Sequence, residues 1–400
     1  MFVISFGFKI AKESEKCSAR AGIVKTPHGN FRTPVFVPVA TTATVRALSS
    51  EDLENLGAEA ILSNTYHLHL RPGDKLIRKL GGLHKFMSWD KPIITDSGGF
   101  QAFSLGFGME HGVGKIGSFF PRNMSAGKNR KFAFVDNFGV SFKSPIDGKK
   151  IRLTSEKSIG IQENLGADII LAFDECTSPL SDYNYTKLAM VRTHQWAEEC
   201  LKHHKNKKQA LFGIVQGGAY KELRQKSSKF IASLGFDGYA VGGSLGKSKK
   251  EMHNILGWVV PLLGNEKPRH LLGIGGVDDL FNCIERGIDM FDCVSPTRWA
   301  RRGCVYISPE DGGNKENKFR MNIKRARFRE DKKPISRNCG CYACRNLSRA
   351  YLRHLCTANE LLYFRLASLH NLNFVLRLVD EMRDSIKEDK FLKLKKNWLG

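Results

Sequence analysis

Short apolar runs, each closed by a polar residue or a glycine, recur along the chain. They are TPVFVPV, AEAILSN, KPIITDS, ADIILAF, QALFGIVQ, GYAVGG, HLLGIGG and MFDCVS. Runs of this length, rich in β-branched residues, predict strands buried on both faces. Between most of them apolar positions return every three or four residues, as in SSEDLENLG, TSEKSIGIQENLG, YTKLAMVRTHQWAEECLKHH, YKELRQKSSKFIASLG, KKEMHNILGWVVPLLG and DDLFNCIERG. That spacing predicts amphipathic helices, several stopped by a glycine able to turn left-handed. Eight alternations of strand and helix predict the α/β class and a (β/α)8 (TIM) barrel. An open, doubly wound sheet carries the same alternation and is the second reading.

Two regions break the rhythm. Residues 106–150, rich in Gly, Phe and Lys, predict an insertion holding a small hairpin or an extended loop. After Arg302 the chain turns strongly basic, and helical spacing returns from about Ser348. The expected organisation is a barrel over residues 1–305 and an appended basic, metal-binding subdomain with C-terminal helices over 306–400.

In a barrel of this kind the chemistry sits where the strands end. Those positions here carry Asn64, Asp96, Asp174, Gln216, Gly243, Gly273 and Asp292. Taken singly, each aspartate is as well explained by a turn or helix cap. Taken together at matching strand ends, they predict a site. A carboxylate beside an amide suits the donor-rich edge of a purine, and Phe100 could stack on a flat ring. Two carboxylates can also substitute at an anomeric carbon by double displacement, one attacking the sugar and the other moving protons. Asp292 stands just ahead of Arg298, Arg301 and Arg302, cations that would favour its ionised form and hold a polyanion.

Charge points the same way. A formal net charge of +23 over 400 residues is a burden on any fold, and nucleic acid is the simplest partner to explain its sign. Cys339, Cys341 and Cys344 lie within six residues, a cluster suited to tetrahedral Zn²⁺. His370 is a plausible fourth ligand, with His354 and Cys356 as competitors; four protein ligands would make the site structural. The other cysteines are scattered, which excludes a secreted disulfide framework. The opening MFVISFGFKIAKES reads as a first strand rather than a signal peptide, and no apolar run reaches membrane-spanning length. A reducing, cytoplasmic compartment is expected.

The stretches TDSGGFQAFSLG, SPIDG, LAFDECTSP, LFGIVQGG, GYAVGG, GIDMFDCVSPTR, CGCYACRNLSRAYLRHL and LHNLNF occur in the order, and over nearly the full length, of the bacterial tRNA-guanine transglycosylases, which the chain closely resembles. The resemblance implies a (β/α)8 barrel with a zinc subdomain, commonly a homodimer. It implies exchange of guanine at the tRNA wobble position for a 7-deazaguanine in queuosine biosynthesis. By motif match Asp292 is the nucleophile and Asp96 the general acid/base. Ser97, Gly98, Gly99, Phe100, Asp174, Gln216 and Gly243 form the base pocket. Gly273, Ile274, Gly275, Gly276, Val277, Asp278 and Asp279 fall where the family touches RNA. So do Thr297, Arg298, Trp299, Ala300 and Arg301. The zinc ligands become Cys339, Cys341, Cys344 and His370.

One departure bears on the substrate. Residues 242–248 read GGSLGKS where bacterial members have GGLAVGE, so Lys247 replaces an acid that helps receive a cationic aminomethyl group. The expected incoming base is 7-aminomethyl-7-deazaguanine, with queuine as the alternative. Two further classes compete: a non-catalytic tRNA-binding subunit, and a retaining glycosidase acting on free sugars.

Overall fold

The computed structural model describes residues 6–100 and 133–400. Its centre is a parallel sheet curled into a ring. In chain order the staves are β4 (Val35–Val37) with β5 (Val39–Ala40), then β6 (Ile61–Ser63), β7 (Ile93–Thr95), β11 (Ile169–Leu171), β12 (Ala210–Val215), β13 (Gly238–Val241), β14 (Arg269–Leu271) and β15 (Met290–Asp292). β4 and β5 are two pieces of one stave, interrupted at Pro38, whose imide cannot donate to a ladder. β4 pairs with β15 on one side and β5 with β6 on the other, so this broken stave closes the ring. The eight apolar runs therefore form a (β/α)8 barrel rather than an open sheet.

The interior is filled by side chains, among them Val35, Leu62, Ile94, Leu171, Phe212, Ile214, Ala240 and Met290. It is plugged from below by an antiparallel sheet of β1 (Gly7–Glu13), β2 (Arg20–Thr26) and β3 (Gly29–Thr33), whose Val24 and Phe31 join the same cluster. Outside the ring, helices cover the wall where the periodicity placed them. Helix 155–165 shows why: Thr154 accepts from the Lys157 amide at its start and Gly166 turns left-handed at its end. Helix 249–259 ends earlier than its apolar pattern because Pro261 follows and forces a short 3-10 turn.

Within the irregular interval, β8 (Ala133–Asp136), β9 (Gly139–Lys143) and β10 (Lys150–Leu153) make an antiparallel sheet. The remainder, residues 106–132, lies outside the described residues. Beyond the barrel, β16 (Cys304–Tyr306) pairs with β17 (Arg320–Asn322), and a second apolar cluster gathers around Val305, Ile323, Phe328, Ile335, Leu352 and Leu366. Helix 361–387 joins the two cores. It gives Leu366 and Ala367 to the second cluster, then Leu372, Val375, Val379 and Met382 to the main one. Among the described residues no helix is long and apolar enough to cross a membrane.

Candidate active site

Parallel staves deliver the residues that follow them to one mouth. Asp96 follows β7, Asp174 lies beyond β11, Gln216 follows β12, Gly243 lies beyond β13, and Asp292 ends β15. Neighbouring staves 7, 11, 12 and 13 thus build one wall, and β15 stands three places round the ring from β7.

The two aspartates expected to react are held differently. Asp96 receives the Asn64 side-chain amide on Oδ2 and the Thr65 backbone N–H, at 2.9 Å, on Oδ1. Asn64 is itself fixed as the cap of helix 65–70, accepting from the His67 amide at 3.0 Å. Asp292 Oδ1 lies 3.0 Å from His270 Nε2 and 3.0 Å from the Gly273 amide nitrogen. At Asp292 an imidazole and a backbone amide are in hydrogen-bond contact, and donors aimed at a carboxylate favour the ionised form that a nucleophile needs.

Next to Asp96, residues expected to form the base pocket are already joined by hydrogen bonds. Buried Asp174 accepts the Ser97 hydroxyl on Oδ1 at 2.9 Å and the Gln216 amide on Oδ2 at 2.6 Å. Among the described residues Gln216 Oε1 is buried without a hydrogen-bond partner, an acceptor that a donor-bearing ligand edge could satisfy. Two glycines are demanded by this packing. A Cβ at Gly99 would come within 2.5 Å of the Asp174 carbonyl, and one at Gly243, where φ is +77°, within 2.0 Å of Gln216 Oε1. Beneath the pocket Arg224 is wholly buried and donates to the carbonyls of Val215, Gly218, Gly242 and Ser244. One side chain therefore ties the loop carrying Gln216 to the loop carrying Gly243. Phe100 is half-buried at the edge of the described residues.

Beside the mouth, helix 295–301 presents a cationic face. Arg298 and Arg302 are exposed, and Arg301 is pushed below its ordinary range by burial and by Arg46, Arg298 and Arg302. Arg320 stacks 4.0 Å over the Trp299 ring. Guanidiniums crowded together in this way suit a polyanion. The other expected RNA segment is less uniform. Gly273 serves Asp292, Ile274, Val277 and Ala300 are buried in the apolar clusters, and Asp278 and Asp279 are both paired with Lys249. Burial pushes the Asp279 carboxyl up to about 6 despite that partner. Gly275, Gly276 and Thr297 complete these segments, with Thr297 buried.

At the join between the two cores, Cys339, Cys341, Cys344 and His370 converge. His370 Nδ1 lies 3.6, 3.6 and 3.3 Å from the three sulfurs. A tetrahedral ion with ordinary Zn–S and Zn–N bonds would set these separations at about 3.6 Å. The far nitrogen, Nε2, donates to the Tyr306 carbonyl at 2.7 Å, which leaves Nδ1 as the ligand atom. Asn373 donates to Cys339 Sγ at 3.1 Å. Of the three candidates for the fourth position, His370 is the one in the cluster; His354 and Cys356 are not. The four groups can hold a metal ion.

A family profile described as Queuine tRNA-ribosyltransferase matches residues 15–400. The chain belongs to the queuine tRNA-ribosyltransferase family. It is 60% identical over 389 residues to a protein of Archaeoglobus fulgidus, provisionally named for the same activity, covering 95% of this chain and 96% of the relative. It is 47% identical over 391 residues to the queuine tRNA-ribosyltransferase of Natranaerobius thermophilus, with 97% of each chain covered. It is 46% identical over 385 residues to the Bacillus subtilis queuine tRNA-ribosyltransferase, covering 96% of this chain and 92% of the relative.

Within this member of the queuine tRNA-ribosyltransferase family, the structure adds residues that sequence reading passed over. Asn64 had been noted only as a strand end, and Thr65, Arg224 and His270 not at all. His270 had left one signal: a histidine inside an apolar strand, HLLGIGG. Arg224 left none, because a lone arginine in a basic amphipathic helix reads as a solvated residue.

Proposed function

We propose that this chain is a tRNA-guanine transglycosylase that exchanges guanine at the anticodon wobble position for a 7-deazaguanine in queuosine biosynthesis. The observation carrying the reading is the mouth itself. Asp96 and Asp292 are held by dedicated donors on separated staves, beside a pocket in which Ser97, Asp174 and Gln216 are already hydrogen-bonded to one another. A base sits in that pocket, stacked on Phe100 and close to Gly98, Gly99 and Gly243. Its ribose lies toward Asp292, and the strand's phosphates lie over Arg298, Trp299 and Arg301.

The reaction runs as two displacements. The Asp292 carboxylate attacks the anomeric carbon, the glycosidic bond to guanine breaks, and Asp96, protonated at the start of the cycle, delivers that proton to the departing base. The incoming base then gives its ring N–H proton to Asp96, attacks the same carbon and releases Asp292. No net proton or charge is left on the enzyme.

The incoming base is 7-aminomethyl-7-deazaguanine in this proposal, with queuine as the alternative. Lys247 in the altered loop weighs against a cationic aminomethyl group, but its side chain is exposed while its amide donates to Glu251 Oε2 at 2.7 Å, so an acid also reaches this loop. The ion held by the Cys3His cluster is zinc: three thiolates and an imidazole are its preferred donors, and a closed shell makes it structural. The homodimer is carried by the family resemblance alone, and the cytoplasmic compartment by the scattered cysteines.

The test uses unmodified tRNA and Asp292→Asn. Wild-type enzyme should form a denaturation-resistant adduct with tRNA, and the variant should lose the adduct and at least about 1,000-fold in guanine exchange. Exchange at the wild-type rate by the variant would exclude the assignment. A non-catalytic subunit would show no exchange in either protein. Competition among queuine, 7-aminomethyl-7-deazaguanine and 7-cyano-7-deazaguanine then ranks the incoming bases.

A further inference from the structure

A nucleophilic carboxylate must present one oxygen along a fixed line, so whatever sets its plane matters. Asp292 ends β15, and its neighbour in the ring, β14, carries His270 at its centre. In register, His270 stands beside Ala240 on one side and Met290 on the other, both members of the barrel-interior cluster. The ring therefore points inward from the wall. It is fully buried among apolar residues, where a polar side chain costs stability unless paired. Its pairing is with Asp292: Nε2 lies 3.0 Å from Oδ1, the same oxygen that accepts the Gly273 N–H at 3.0 Å.

The protonation of the ring follows from its two nitrogens. Oδ1 is already an acceptor toward Gly273, so Nε2 carries the hydrogen that joins it. Nδ1 is buried and has no hydrogen-bond partner among the described residues. A second proton there would place a charged donor in an apolar wall with nothing to receive it. The ring is thus the neutral Nε2–H tautomer. A neutral donor orients a carboxylate without pairing off its charge, whereas an imidazolium would bind the carboxylate as an ion pair and blunt it as a nucleophile.

We propose that His270 is a positioning residue for the reaction: as a neutral imidazole it joins the Gly273 amide in pinning Oδ1 of Asp292, and so aims the carboxylate at the anomeric carbon. The inference rests on the nucleophilic reading of Asp292. His270 makes and breaks no bond itself.

Asparagine and glutamine at position 270 separate this role from packing. The glutamine amide nitrogen reaches the place of Nε2, while that of asparagine falls one carbon short. His270→Gln should keep kcat for guanine exchange within about tenfold of wild type, and His270→Asn should lose about 10- to 100-fold. KM for tRNA should stay within about threefold in both, and the yield of trapped adduct should fall with kcat. Phenylalanine at 270, which keeps a ring and removes the donor, should match the asparagine variant. Should the phenylalanine variant fail to fold, the asparagine and glutamine pair decides alone.

Wild-type kcat in His270→Asn would overturn the proposal, as would equal losses in the asparagine and glutamine variants at unchanged melting temperature. Full exchange by Asp292→Asn would sink the nucleophilic reading beneath it. An inactive Asp292→Asn beside a fully active His270→Asn would sink this inference alone.

Discussion

Two staves of the barrel are bracketed by aspartates, and the two ends of each are treated in opposite ways. Asp168 precedes β11 and Asp174 lies beyond it; Asp289 precedes β15 and Asp292 ends it. At the lower end both acids are fully partnered in the core. Asp289 is 0% exposed and meets Arg20 through two hydrogen bonds of 2.9 and 2.7 Å, while also accepting the Arg269 amide. Asp168 accepts His28 at 2.7 Å and His84 at 3.1 Å, together with the Ile93 and His28 amides. These contacts tie the plugging sheet to the wall. At the upper end the acids are held by N–H or O–H donors and face a shared mouth. The difference teaches that strand polarity, not residue type, separates an aspartate sealed into the core from one turned toward a shared mouth.

The sharpest way to break the comparison is at the lower end. Arg20→Met strands a buried carboxylate and should cost about 3–5 kcal/mol of stability, read by chemical denaturation. Activity per folded molecule should be unchanged. A fall in kcat with intact folding would mean that the lower end also serves chemistry.

Asp174→Asn is the counterpart above. It replaces one of the two oxygens that accept from Ser97 and Gln216 with an NH2 donor, without opening a cavity. Guanine exchange should drop by about 100-fold, mainly through KM for the base, with a stability change below about 1 kcal/mol. The reverse pattern would make Asp174 a second structural acid.

The smallest effect is a pH dependence at His28. Its hydrogen bond to Asp168 raises its pKa above the ordinary 6.5, against burial. For Asp168, burial pushes upward but is outweighed by the His28 and His84 hydrogen bonds and the Ile93 amide, holding the carboxyl well below its usual range. A raised histidine contributes stability in full below its unfolded pKa and loses it as pH rises through the folded value. A lowered carboxyl contributes above its unfolded pKa and loses it in acid. Wild type should therefore lose melting temperature as pH rises above the ordinary histidine value of 6.5, and His28→Ala should lose less. Parallel curves would show that the pair is not linked to folding.

Much of the fold was legible because a buried parallel strand must be apolar on both faces, and eight such runs can be counted. The Cys3His cluster was legible because three of its members lie within six residues of one another. The fourth was open among His354, Cys356 and His370, since helix 361–387 brings its member in from 26 residues beyond Cys344. The supporting shell was not legible at all. Arg224 reaches carbonyls 6 to 20 residues away, and His270 meets Asp292 across 22 residues and two staves.

By itself the sequence determined the class of fold, the strand ends where the candidate site gathers, the strong positive charge and the thiolate cluster. Each of these depends on local pattern, on composition or on residues close in the chain. Only the tertiary structure decided that the sheet closes at Pro38, which histidine joins the cysteines, and which groups hold Asp96 and Asp292. Those outcomes depend on which distant backbone and side-chain atoms meet when the ring closes, and hydrogen bonds are specified by position and angle to within tenths of an ångström.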